Sequence, residues 1–421
     1  MRAPRSRLPA PSIPRGRARL LPAFALVAVS SAALGVTGRD LLDRDHADGR
    51  ASTVAGHPAA AAESPGGEGF SPAAAGPWGI VERNTFYLRP PANAFETMHP
   101  GAVRWHFSES RPDHLDALFE QAGLDPAHRT SLLANTDCAG GSCYVPVSTE
   151  IVRGISPAAR AVIYPVLAKS SGNFHAMPFR WHTDDDAELR RALPGLSDAA
   201  FAELRAMTWR DGDNTAFADA ETLSSLVPED ERVSVARALN TSPAVRLRLR
   251  VGPNDDVAAM ASYWSPARDV QPLLESIARS PGGHGGAVGV LYLLPSFARA
   301  RAYTFPEGGD GSDGRARQNC FWTAMNFARA TPDDTFSEEP RTREELKSAW
   351  VEVGRPELRL GDVMVVERLD GVLVHAAVHV AANVWFTRNG YVRSRPFVLM
   401  DYSDIITRYP EGLVRFYRRR A

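Results

Sequence analysis

LRLGDVMVVERLDGVLVHAAVHVAANVWFTRNG, residues 358–390, carries the clearest local pattern in the chain. Gly361–Asp362 reads as a turn and Val363–Glu367 as a strand. Asp370–Gly371 is a second turn, Val372–Val380 a longer strand, and Val384–Thr387 a third. Valine runs broken by Gly-Asp and Asp-Gly pairs suit a small antiparallel sheet, because β-branched residues fit the pleat and glycine accepts the turns. His375 and His379 lie four residues apart on the middle strand, so their side chains share a face.

Upstream, RARQNCFWTAMNF (315–327) places Cys320 before a helical run in which Phe321, Ala324, Met325 and Ala328 fall on one face. A cysteine at a helix start meets unpaired N–H groups and the positive end of the dipole. That environment lowers a thiol pKa and offers donors to an oxyanion. The competing reading is a cysteine buried as a small hydrophobe. What favours chemistry is the order: thiol, helix, then a sheet with a histidine on its second strand, able to take the thiol proton and return it to a leaving group.

The segment from about Gln318 to Asn389 resembles the NlpC-type branch of the papain-like cysteine peptidases. The matching stretches are Asn319-Cys320-Phe321-Trp322, Leu360-Gly361-Asp362-Val363 and His375-Ala376-Ala377-Val378-His379-Val380-Ala381. The resemblance implies Cys320 as nucleophile, His375 as base and acid, and His379 where the family has an aromatic lining residue. A third, polar residue orients the histidine in that family, and its position here is Thr387 with Asn389 close by. Asn389 is the preferred candidate, since its side-chain oxygen accepts from an imidazole N–H. Gln318 and Asn319 are candidate amide donors to an oxyanion. The family's Ser-Gly after the cysteine is replaced by Phe321-Trp322, so Trp322 is a candidate substrate-lining residue or a core residue. A metal on His375 and His379 lacks a third ligand at suitable spacing, and no metal or cofactor is expected.

From Trp78 to Pro306 the pattern is mixed and mostly helical. DHLDALFEQAGL from Asp113 ends near Gly123, and SPAARAVIYPVLAK opens on Ser156 as N-cap with Pro157 behind it. SDAAFAELRAM and PEDERVSVARAL follow the same logic. In AVRLRLRV (244–251) the apolar residues alternate with Arg246, Arg248 and Arg250, which predicts a half-buried strand with a solvated arginine face. GAVGVLYLLP (286–295) is nearly all apolar and predicts a central strand. Tyr303–Arg317 reads as a connector, because GGDGSDG lacks the alternation and closing glutamate of a calcium loop. WHTDDD (181–186) reads as an acidic helix start. GGHGG (282–286) has no Gly-x-Ser-x-Gly elbow to serve, which excludes a serine hydrolase of that type.

At the N-terminus a basic, proline-broken stretch precedes the charge-free run Leu20–Val36, the layout of an export signal. A cleaved signal and an uncleaved anchor both fit residues 1–40, and both place the remainder outside the cytoplasm. Residues 41–77, rich in Ala, Gly, Pro and Ser, read as a disordered linker. In an oxidising compartment Cys138 and Cys143 of CAGGSC are candidates for a local disulfide, leaving Cys320 free. A net charge of −1 gives no bias toward nucleic acid.

The expectation is therefore an α+β chain, with a mostly helical mixed domain over 78–306 and a papain-like helix-plus-antiparallel-sheet domain over 307–421. The expected activity is hydrolysis of an amide bond, the resemblance pointing to peptidoglycan peptides, in the periplasm or secreted, with a tether to the inner membrane through residues 20–36. A non-catalytic cell-envelope binding or assembly module and an acyl or amide transferase on the same dyad stand as alternatives.

Overall fold

The computed structural model describes residues 69–95, 102–170, 172–265, 269–280, 284–306, 317–410 and 412–420. Ser71–Gly76 (β1) and Gly79–Leu88 (β2) form a hairpin closed by Pro77-Trp78, with Gly79 at φ 94°. The linker read to Pro77 is therefore too long: small alanines still form a strand when their backbone groups have a partner in β2. The expected export segment lies outside the described residues. Among those described, no helix is long and apolar enough to cross a membrane.

Between β2 and the long strand that follows lie two small antiparallel sheets. One is built from Arg104–Phe107 (β3), Asp137–Ala139 (β4) and Ser142–Pro146 (β5); the other from Phe179–Trp181 (β6), Trp209–Asp211 (β7) and Asn214–Phe217 (β8). Helices surround them and close a core running from Trp105 to Leu239. The helix starts follow the expected chemistry. Ser156 accepts from the Ala159 N–H at 3.1 Å ahead of Pro157, and Ser197 accepts from Ala200. A disulfide joins Cys138 to Cys143 across the β4–β5 hairpin.

Ser242–Val251 (β9) pairs with β2 along its whole length and with Gly286–Gly289 (β10) on its other edge. Val245, Leu247, Leu249 and Val251 are buried, as the alternation predicts. Its arginines are engaged within the chain: Arg248 and Arg250 pair with Glu82, and Arg246 lies over Phe86. β10 is a four-residue edge strand, not the central strand expected, because Val290–Leu293 winds into a 3₁₀ turn that buries Val290 and Leu293. Glycines at both ends of β10 leave little side chain to pack there.

The C-terminal part is a six-stranded antiparallel sheet of Trp350–Glu352 (β11), Val363–Glu367 (β12), Leu373–Ala381 (β13), Val384–Arg388 (β14), Phe397–Asp401 (β15) and Leu413–Arg419 (β16), in the order β11-β16-β12-β13-β14-β15. The chain is thus α+β, and every strand pairing among the described residues is antiparallel. One hydrophobic core joins β2, β9 and the helices of 257–301 to Cys320–Met325 and to β12–β15. The boundary expected at residue 306 therefore cuts through a single core. The separate core belongs to the segment inserted between β2 and β9, and only the long-range pairing of those two strands reveals it.

Candidate functional site

Cys320 opens a six-residue helix, Cys320–Met325, every residue of which is buried. Asn319 caps it: its side-chain oxygen accepts from the Trp322 N–H at 2.9 Å, while its amide donates to the Ser337 carbonyl at 2.7 Å. The Asn319 amide is thus already engaged and does not serve as the oxyanion donor expected. Gln318 contributes its backbone carbonyl, which accepts from the Arg388 guanidinium. Trp322 is only 1% exposed, donates to Asp334 at 2.9 Å and packs against Phe297 and Phe397. It is a core residue, not a substrate-lining one.

Cys320 is 5% exposed. Burial pushes its thiol up to about 11, against the opposing pull of N–H groups from Ala376, Phe321 and Cys320 itself and of the Arg388 charge. This reverses the activation expected from the helix start: a short helix with its first turn inside the core loses more to desolvation than the N–H groups return.

His375 sits on β13 with no exposed surface. Its Nε2 lies 3.0 Å from the Thr387 hydroxyl oxygen, and that hydroxyl donates its single hydrogen to the Ala376 carbonyl, also at 3.0 Å. Thr387 must therefore accept from Nε2–H, which leaves Nδ1 as a bare acceptor. Nδ1 is buried without a hydrogen-bond partner among the described residues, the Cys320 sulfur included. Burial, and then the charge of Arg408, depress the imidazole to about 3, so both members of the pair rest neutral.

The pleat explains why they do not meet. Ala376, Val378 and Val380 share the core of Cys320, whereas Ala377 belongs with Met364, Trp385 and Met400 on the other side of the sheet. By strand alternation His375 projects with Ala377, away from the helix. What connects the two is position in the chain: Ala376, the neighbour of His375, shares the core of Cys320, and its N–H favours the thiolate.

Asn389 does not orient His375. Its amide donates to the Met400 sulfur at 3.3 Å and its oxygen is buried without a partner. The orienting hydroxyl is that of Thr387, the residue ranked second from sequence. His379 is held by carbonyls, with Nδ1 3.2 Å from Arg359 O and Nε2 3.0 Å from Ala382 O, and it packs against Trp385. It does not line a site with Cys320, and among the described residues no cluster of His, Cys, Asp and Glu could hold a metal.

Tyr409 went unnoticed in the sequence. Its ring stacks on His375 with centroids 4.7 Å apart, and a charge on Cys320 would be felt at its hydroxyl. Tyr402, by contrast, packs under Arg355 and beside Trp385. Nothing in the short run ITRYP marks its tyrosine, since only the fold carries it back over β13.

No family model matches the chain, and the searches of curated proteins and of solved structures found no match.

Proposed function

We propose that the chain is a papain-like thiol hydrolase that cleaves an amide bond, acting outside the cytoplasm on peptidoglycan peptides. One observation carries the reading: a buried imidazole whose tautomer is set by Thr387 and whose Nδ1 is left without a partner among the described residues, one residue along the strand from Ala376, which shares the core of Cys320. An unpaired buried acceptor costs about 1–3 kcal/mol, and a proton-transfer role explains why it is kept. The substrate class and the location rest on the resemblance of residues 318–389 and on the N-terminal export pattern.

Because both groups rest neutral, the thiol proton moves to Nδ1 as sulfur bonds to the carbonyl carbon, with no standing ion pair. Nδ1 then passes the proton to the departing amine as the C–N bond breaks; the same nitrogen takes a proton from the water that attacks the thioester carbon and returns it to the sulfur as the C–S bond breaks, which restores the neutral pair. Sulfur and Nδ1 must first be brought within reach of each other.

A second reading, a non-catalytic envelope-binding module built on the same shell, is favoured by the burial of the thiol and by the projection of His375 away from it. Purified cell-wall fragments separate the two. Release of new amino groups by the wild-type chain, lost in Cys320→Ala and in His375→Ala, is the outcome expected of the hydrolase. Binding of the fragments without release, unchanged in Cys320→Ala, identifies the module.

A further inference from the structure

Between the inserted segment and the C-terminal sheet the fold leaves a cleft of about 270 Å³. Tyr87, Phe179 and Trp181 form apolar walls, and Arg180, Arg191 and Arg408 stand among them. Phe179 and Trp181 leave β6 on the same side with ring planes 16° apart. His182, beside them, bonds to the Ser403 carbonyl at 2.9 Å and to the Thr407 hydroxyl, which fixes the inserted segment against the helix Tyr402–Ile406.

The charges around this cleft are unequally met. Arg180 is held by Asp211 at 2.7 Å, and Arg191 faces Glu188 at 3.7 Å. The Arg408 guanidinium has no hydrogen bond or ion pair among the described residues; the lining carboxyl Asp404 acts on it only through space. Asp404 is itself a weakened anion, held up by burial and by the neighbouring Asp401. Arg395, outside the cleft lining, feels the same charge: its Nη1 is buried without a partner among the described residues, and burial together with the Arg408 charge brings its guanidinium down to about 9. A guanidinium in the cleft wall with no carboxylate bonded to it among the described residues makes a point that an anion would stabilise.

We infer that the cleft binds a carboxylate carried on an aromatic or apolar group, with Arg408 as the charge partner and Phe179 and Trp181 as the apolar wall. Arg408 is suited to this, because a guanidinium fork meets a carboxylate through two parallel hydrogen bonds. The volume lies just below the usual range for small-molecule sites, so it admits one ring with its acid and not an extended polymer. The inference does not depend on the thiol chemistry.

Calorimetric titration of the full chain with N-acetylphenylalanine and with N-acetylphenylalaninamide, its neutral analogue, tests it. The acid is expected to bind at least about tenfold more tightly than the amide, the scale of one charge-assisted hydrogen bond. Arg408→Gln is expected to abolish that difference and Arg408→Lys to keep part of it. Trp181→Ala, in the apolar wall, is expected to weaken the acid while leaving Arg408 in place. A tetrapeptide ending in a phenylalanine carboxylate, bound more tightly than the single amino acid, identifies a peptide end as the ligand; preference for the small acid identifies a free metabolite. Equal binding of acid and amide, no binding at millimolar acid, or full affinity in folded Arg408→Gln overturns the inference.

Discussion

The ring of Tyr409 lies against the imidazole of His375, centroids 4.7 Å apart and planes inclined by 24°, so the residue that would act as base is covered by the chain's own aromatic side chain. The covering segment is held by short local turns: the Tyr409 N–H bonds to Ile406 O at 2.8 Å, and the Gly412 N–H bonds back to Tyr409 O at 3.1 Å. Tyr409→Ala is therefore expected to uncover His375 and to raise the rate at which iodoacetamide alkylates Cys320 by roughly tenfold, with a stability loss of about 1 kcal/mol for the lost ring pair. Mass spectrometry of the alkylated peptide over time measures this, and an unchanged rate would show that Tyr409 does not guard the thiol.

Alkylation should also report the resting state of the thiol. With Cys320 pushed up to about 11, the thiolate fraction at pH 8 is on the order of a thousandth, against roughly a quarter for a free cysteine. Wild-type protein is expected to react at least about a hundredfold more slowly than free cysteine at pH 8, with the rate still climbing at pH 10. A plateau reached near pH 8 would show that the sulfur is not desolvated.

The same two groups shape stability against pH. His375 is depressed to about 3, so between about 3 and the ordinary 6.5 the unfolded chain binds a proton that the folded chain refuses. Its contribution is complete above about pH 6.5 and is lost as pH falls toward 3. The raised thiol acts at the other end: from about 9 to 11 the unfolded chain releases a proton that the folded chain keeps, and stability falls as pH rises. Urea midpoints measured from pH 4 to 10 are expected to be highest between about 6.5 and 9. The acid arm should flatten in His375→Asn and the alkaline arm in Cys320→Ser.

Thr387 and Asn389 make opposite predictions. Thr387→Val removes the acceptor of the His375 Nε2–H and the donor to the Ala376 carbonyl, at an expected cost of about 1–3 kcal/mol for the buried groups left unpaired. Nitrogen NMR of the imidazole should show the proton on Nε2 in the wild type and a changed tautomer distribution in Thr387→Val. Asn389→Ala should leave the tautomer untouched, because its amide bonds to Met400.

The contrast shows what the sequence could and could not disclose. Strand β12 was legible to the residue and β13 to within one, because valine runs, Gly361–Asp362 and Asp370–Gly371 act locally. Asn319 as a cap, though not foreseen in that role, uses an equally local device. The choice between Thr387 and Asn389 depended on register, which a bulge between His379 and Ala381 adjusts, and a bulge leaves no clear mark in the sequence. The depth of Cys320 was hidden as well: Phe321 and Trp322 were compatible with a groove or a core, and the Phe297 and Phe397 packing that decides for the core comes from distant segments. The division at residue 306 was undone in the same way, since one core joins β9 and the helices of 257–301 to Cys320–Met325 and to β12–β15.

The Cys138–Cys143 disulfide bears on the inserted segment alone. Cys143 is wholly buried in that segment's core, and the bridge ties β4 to β5. Closing so short a loop restrains the unfolded chain by about 2 kcal/mol in the loop-entropy account. Replacing both cysteines with serine adds the burial of a hydroxyl at position 143, so replacement with alanine is the cleaner comparison. The double alanine variant is expected to unfold about 2 kcal/mol more easily, while its Cys320 alkylation rate stays that of the wild type, because Cys320 lies in the other core. Thiol titration of the unreduced, denatured wild-type chain should find a single reactive group. Three would show that the bridge does not form, and a changed Cys320 rate in the double variant would show that the two cores are coupled.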